Sequence, residues 1–245
     1  FNSNFISYEG GALDFLGIDD GSRELPIRVT DKFPHPSQDD PQQTVLTNSF
    51  SKVMSAQQSM SFLNQTYAFA YGDRKVFRMK DSSKIDYGYN AVLNYRTWNN
   101  FYEDVQYSEY RLESTNGTPL NELEKSRVSQ GMLAESNVLW TALVGQSLKF
   151  NLTKLKLTLF HTQNGQSSAA QLLEEDFEDN PGTLEKTSLQ YTQRSVSNLS
   201  LNGFHYLDTA GAGKWTLDWK VSPTYSLIKD PDIRSTALAY YLDSA

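Results

Sequence analysis

The sequence predicts an all-β chain of antiparallel, up-and-down strands, on three observations. In W-T-L-D-W-K-V-S-P-T-Y-S-L, residues 215–227, every odd position is apolar or aromatic and every even one is polar. Period two is the strand repeat, because successive side chains leave opposite faces. Aromatic residues make up 13% of the chain, with 14 Tyr and 13 Phe, and most Tyr sit in alternating runs, as strand propensity favours. Finally, short and long polar connections between these runs alternate strictly. A chain of 245 residues with 38% hydrophobic content can bury an ordinary core as one all-β unit or two small domains.

Residues 1–60 are rich in Gly, Pro, Asp and Gln, with D-K-F-P-H-P-S-Q-D-D-P-Q-Q near the centre, and predict a loop-rich segment with a short helix over 47–58. A loop of that length is functional or disordered. Strands are predicted over 61–245. In T-Y-A-F-A-Y-G, Tyr67, Phe69 and Tyr71 share a face. In I-D-Y-G-Y-N-A-V-L-N-Y-R, one face carries Ile85, Tyr87, Tyr89, Ala91, Leu93 and Tyr95, and the other Asp86, Gly88, Asn90, Asn94 and Arg96. Residues 138–150 align Val138, Trp140, Ala142, Val144, Leu148 and Phe150, interrupted by Gln146, and Leu155, Leu157 and Leu159 come next. The run over 189–201 alternates less well, since Gln193, Ser195 and Ser197 fall on its apolar side. No internal repeat of about 20 to 50 residues occurs, which removes propellers and solenoids.

The connections R-M-K-D-S-S-K, N-L-T and D-T-A-G-A-G-K are short, whereas 113–136 and 164–187 predict long, acidic loops. Long loops then leave one end of the sheet and short turns the other, the asymmetry of outer-membrane barrels. A two-faced strand also suits a soluble sandwich, whose apolar face meets a second sheet. Length favours the barrel: residues 215–227 extend about 40 Å at roughly 3.3 Å per residue, beyond the usual five or six residues of a globular strand. The expectation is antiparallel up-and-down strands forming part of a transmembrane β-barrel. Trp215, Trp219, Tyr225, Tyr95 and Trp98 are expected at the ends of the apolar faces, as an interfacial girdle requires.

A net charge of -7 and a pI near 5.0 argue against nucleic acid and against anionic headgroups. No run of about 18 apolar residues is present, so no transmembrane helix is expected. Without cysteine, disulfides and thiolate chemistry are excluded. The chain opens at Phe1 with neither Met nor a signal-peptide pattern and ends within a strand-like A-Y-Y-L-D-S-A, as a fragment of a larger protein would.

Y-T-Q-R-S-V-S-N-L-S-L-N-G-F-H-Y-L (191–207), W-T-L-D-W-K-V-S-P-T-Y-S (215–226) and D-P-D-I-R (230–234) together resemble the early barrel of TonB-dependent outer-membrane receptors. There an aromatic-T-x-R-S strand with a following G-x-H leads into L-D-W and a P-D-x-R loop. Y-E-G-G-A-L-D-F-L-G-I-D-D-G-S-R-E-L-P (8–26) is similar to the segment after the plug, in the first extracellular loop, of receptors of the Bacteroidetes type, and F-A-Y-G-D-R (69–74) to the strand that comes after it. The resemblance implies a barrel of about 22 strands around a plug, located in the bacterial outer membrane, taking up a nutrient such as a siderophore, glycan or peptide. It implies as partners the plug, the TonB-ExbB-ExbD complex engaged through an N-terminal part this chain lacks, outer-membrane lipid and a surface lipoprotein. About six strands are countable, too few to close such a barrel.

On this reading Asp86, Asn90, Asn94, Arg96, Asp218 and Lys220 face the lumen and contact plug or solute, and the long loops capture ligand. No catalytic residue, metal site or cofactor is expected. His35, His161 and His205 lack metal-ligand spacing. E-E-D-F-E-D (174–179) and Asp19-Asp20-Gly21 lack the calcium-loop pattern and read as solvated acids. Asp230, Asp232 and Arg234 read as a turn with a local ion pair rather than a glycosidase pair. G-A-G-K (211–214) is no phosphate loop and no G-x-S-x-G elbow is present. The alternatives are a secreted or surface β-sandwich that binds carbohydrate, and a hydrolase with a site built from loops.

Overall fold

A computed structural model of the chain describes residues 3–8, 10–27, 35, 41–80, 84–115, 118–177, 182–209 and 213–240. Strands β1 (Ile6–Ser7) and β2 (Gln57–Gln58), a 3-10 turn (Asp14–Leu16) and helix α1 (Pro41–Ser49) precede β3 (Gln65–Arg78), β4 (Lys84–Thr115), β5 (Thr118–Phe150), β6 (Thr153–Asp176), β7 (Gly182–Thr209), β8 (Gly213–Val221) and β9 (Thr224–Tyr240). β3 to β9 form one antiparallel sheet in the order β3-β4-β5-β6-β7-β8, with β9 also on β7, while β1 and β2 pair apart. Chain neighbours are sheet neighbours, so the fold is all-β and up-and-down. The sheet is open, with β3 at one edge and β8 and β9 at the other.

β8 and β9 act as one strand. Leu201 pairs with Val221 and Asn198 with Thr224 in unbroken register on β7. The gap falls at Pro223, which accepts the Leu199 N–H at 3.1 Å but has no N–H to return. The Asn198 amide bridges the break, donating to Ser222 Oγ, the Pro223 carbonyl and Thr224 Oγ1. The D-P-D-I-R stretch is not a turn: it lies within β9, and a bulge against Tyr191 and Gln193 absorbs Pro231. That bulge puts Asp230 with Thr192 on one face (2.6 Å) and Asp232 with Tyr8 on the other (2.5 Å).

Pairing carries one apolar face across the strands. Successive rows read Phe69, Leu93, Ala142, His161, Ser197, Tyr225, and then Tyr71, Ala91, Val144, Leu159, Leu199. The opposite face is mainly polar. Trp98 belongs to that polar face, with the Arg96 guanidinium 5.0 Å from its ring centre, so it is not a girdle residue.

The acidic segments expected as loops are largely strand. β4 and β5 run 32 and 33 residues and meet at Thr115 and Thr118, and β6 and β7 continue to Asp176 and Gly182. Their polar side chains pair across strands: Arg127 with Glu109, Glu174 and Asp176, Lys186 with Glu174, and Gln171 with Glu185. Such pairs stabilise a sheet as apolar ones do. Above Arg127, β5 pairs with β4 alone, so the summit is a two-stranded ribbon. The helix is also displaced, occupying 41–49 rather than 47–58, because Pro41 suits a first helical turn and Gln57 and Gln58 are taken by β1. Most of the proline-rich stretch at 31–43, the middle of the expected short connections (81–83 and 210–212), and 241–245 lie outside the described residues.

Residues 5–8 and 10–23 lie on the apolar face where its rows turn polar. Gly17, at φ +66°, rests on Gly165 of β6 so closely that a Cβ on Gly165 would stand 2.4 Å from the Gly17 Cα. Gly165→Val should therefore lift this segment at a cost of about 1–3 kcal/mol, while the ladder stays intact. Hydrogen exchange is expected to speed up over residues 10–25 and remain slow in β6 and β7.

Candidate functional site

The N-terminal segment is held by hydrogen bonds with aromatic residues of the apolar face and with its polar interruptions. Tyr95 donates to the Phe15 carbonyl (2.7 Å), Trp140 Nε1 to that of Leu16 (2.8 Å) and Gln163 Nε2 to that of Gly17 (2.6 Å). Ser167 Oγ donates to the Tyr8 carbonyl (3.0 Å), and the Asp19 N–H donates to Gln193 Oε1 (3.0 Å). A buried backbone needs such partners, so Gln193 marks a docking footprint rather than a weak strand.

Charge clusters beside it. Arg23, 2% exposed, donates from both terminal nitrogens to Asp14 (2.7 and 2.5 Å), lies 3.5 Å from Asp19, and stacks 3.9 Å above the Tyr191 ring. Burial works against the guanidinium charge, but the hydrogen bonds and charge of Asp14 outweigh it and raise the Arg23 pKa. Asp232 accepts from Tyr8 and, at 2.6 Å, from Arg234 Nε. Arg234 also donates to Ser51 Oγ and the Val53 carbonyl, which ties the stretch after α1 to β9. Asp20 accepts from the Ala12 and Ser22 N–H groups. Asp19 and Glu174 are thus structural acids with buried side chains rather than solvated ones, whereas Asp20 caps the Ala12 and Ser22 N–H groups with its carboxylate exposed.

Between this segment and the sheet lies a cavity of about 500 Å³. Its floor is small, made by Ala134, Ser136, Gly165, Ser167 and Ala169, and its opposite wall carries Phe15, Met60 and Phe62. Lower on the same face, the apolar rows are bare: Phe69 is 62% exposed, Leu217 50%, Trp215 64% and Tyr225 66%.

The six residues expected to face a lumen do share the polar face, but no site gathers them. Asp86, Asn90, Asn94 and Arg96 are spread along β4, whereas Asp218 and Lys220 lie on β8, four strands away, or about 19 Å at roughly 4.8 Å per strand. Asp86 accepts from Arg74 Nε at 2.6 Å, and Asn90 sits between Gly72 and Gly145. His161 meets Ser197 Oγ (2.7 Å) and the Trp140 ring. His205 stacks on Trp219, which fills the space left by Gly203. Because Trp219 Nε1 can only donate (3.0 Å), His205 Nε2 accepts, leaving its Nδ1 proton for Thr153 Oγ1. Of G-A-G-K, Gly213 and Lys214 open β8, and residues 211–212 lie outside the described residues.

No family model, curated protein or solved structure matches the chain. Function must therefore be read from the geometry of the chain itself. The Arg23 cluster lies within the 8–26 stretch, which the sequence singled out through a family resemblance; neither it nor the cavity was expected as a site, and the polar break at Gln193 was the signal for where the segment docks.

Burial, then the hydrogen bond to Asp232 and its charge, push the Tyr8 pKa up to about 12. A raised phenol pKa favours the protonated, folded form, so its stabilisation is complete below about pH 10 and lost as pH rises through about 12. Protection of the N-terminal segment in exchange experiments should fall across that window. Tyr8→Phe should lower protection at neutral pH by about 1–3 kcal/mol and shrink the alkaline step.

Proposed function

We propose that this chain is a sector of an outer-membrane barrel wall belonging to a TonB-dependent receptor that takes up a nutrient. The observation that carries this reading is the bare apolar band. It spans every strand from β3 to β9 and is bordered by Tyr67, Tyr95, Trp140 and Tyr225 above and by Tyr87, Phe150 and Trp215 below. Aromatic rows flanking an apolar band are the interfacial girdles of membrane barrels. The chain exposes 17350 Å², against about 11,000 Å² for a compact monomer of its mass. Lipid is a cover for that surface which needs no second sheet.

On this reading the polar face, with Asp86, Asn90, Asn94, Arg96, Asp218 and Lys220, lines a wet lumen or abuts the plug. The tall β4–β5 and β6–β7 hairpins stand outside the cell. Energy comes from the TonB-ExbB-ExbD complex acting through the plug, with a surface lipoprotein as a further partner. No helix among the described residues is long and apolar enough to cross a membrane, which leaves strand crossing open.

Leu217→Arg places a cation on the bare face, at a cost of about 2–4 kcal/mol near a bilayer midplane. The expected result is loss of the protein from the outer-membrane fraction and of its heat-dependent shift on a gel, while Thr216→Arg on the polar face is tolerated. Recovery of the unaltered protein from the soluble fraction at this chain's own 27.8 kDa would refute the reading in favour of the carbohydrate-binding sandwich.

A further inference from the structure

We infer that the cavity beneath the N-terminal segment binds a neutral sugar ring. This does not depend on what covers the apolar face below it, since the cavity is built entirely from the described segment and strands. Its volume, about 500 Å³, lies within the roughly 300–1,000 Å³ of small-molecule sites.

The lining selects the chemistry. No lysine, arginine or histidine is among its described residues, so an anion finds no counter-charge. Its carboxylate, Asp14, is already neutralised by Arg23 yet keeps 32% of its side chain exposed, free to accept from a hydroxyl. Ser136 and Thr97 both donate and accept, while Asn99 donates to the Phe62 carbonyl and keeps its amide oxygen. Such a mixture suits a ligand that donates and accepts at several points, as vicinal hydroxyls do. Phe15 and Phe62, 58% and 78% exposed, offer ring faces whose negative quadrupole attracts the C–H edge of a sugar. The small floor lets a ring approach the sheet backbone. Behind it the Tyr191 hydroxyl is buried without a partner, 2.6 Å from where a Cβ on Gly165 would stand. Tyr191 itself lines the cavity, so a ligand oxygen seated at the Gly165 floor would supply the partner its hydroxyl lacks.

The sugar can arrive as a free oligosaccharide or as the headgroup of a glycolipid. The test is calorimetric titration of the whole protein, purified with a sugar-free detergent if it needs one. The probes are maltose, cellobiose and mannobiose for the free source, and an alkyl maltoside below its micelle threshold for the lipid-linked one. Saturable binding of either class is expected, weakened about tenfold or more by Phe62→Ala and by Ser136→Leu, whose side chain occupies the cavity. Ser226→Ala, on the opposite face of β9, should leave it unchanged. Preference for the disaccharides identifies a free glycan, and preference for the maltoside identifies a headgroup. Phe62 is exposed, so its truncation leaves the fold intact and decides alone if Ser136→Leu misfolds. Absence of binding at about 10 mM, or binding indifferent to these substitutions, overturns the inference.

Discussion

The antiparallel ladder from β3 to β9 is what holds this chain together, because little else does. The buried apolar side chains among the described residues are Phe5, Ile6, Tyr8, Ala134, Ala169, Leu189 and Tyr191, all where the N-terminal segment meets the sheet. A core that small cannot offset the conformational entropy of ordering the chain. Interstrand hydrogen bonds remain, and their net worth in water is modest. A layer built this way needs something on its apolar side, and the identity of that cover decides what the molecule can do.

The N-terminal segment answers for the upper part of the face. It docks by backbone proximity and charge, not by a greasy stripe. Gly17 on Gly165 brings two main chains together, and Arg23 then buries a guanidinium that Asp14 and the Tyr191 ring make tolerable. Removing a single partner would strand a buried charge. Specificity of placement is thus concentrated in a few residues, which leaves the cavity beside them open instead of collapsed.

Strand identity and direction were legible in the sequence because period two survives wherever one face is apolar, as from Tyr67 to Tyr71 and from Trp215 to Leu227. Strand ends were not, since a polar strand stabilised by Arg127, Glu174 and Lys186 has the composition of a loop. Asn116-Gly117, the dipeptide favoured in two-residue hairpins, was the missed clue that β4 and β5 meet there. Trp98 was misplaced against its own parity, which it shares with Asn94 and Arg96. The candidate site was less legible still: its residues come from the N-terminal segment and five strands, and no local spacing encodes that convergence.

The two-stranded summit of β4 and β5 means that stiffness is graded along the molecule. Low on the sheet each inner strand is braced on both sides, whereas beyond Arg127 a ribbon stands alone, and an isolated hairpin is marginally stable in water. Force or collision at the tip is therefore absorbed by local bending and fraying, and the base that carries the docked segment and its cavity is mechanically insulated from whatever the tip encounters.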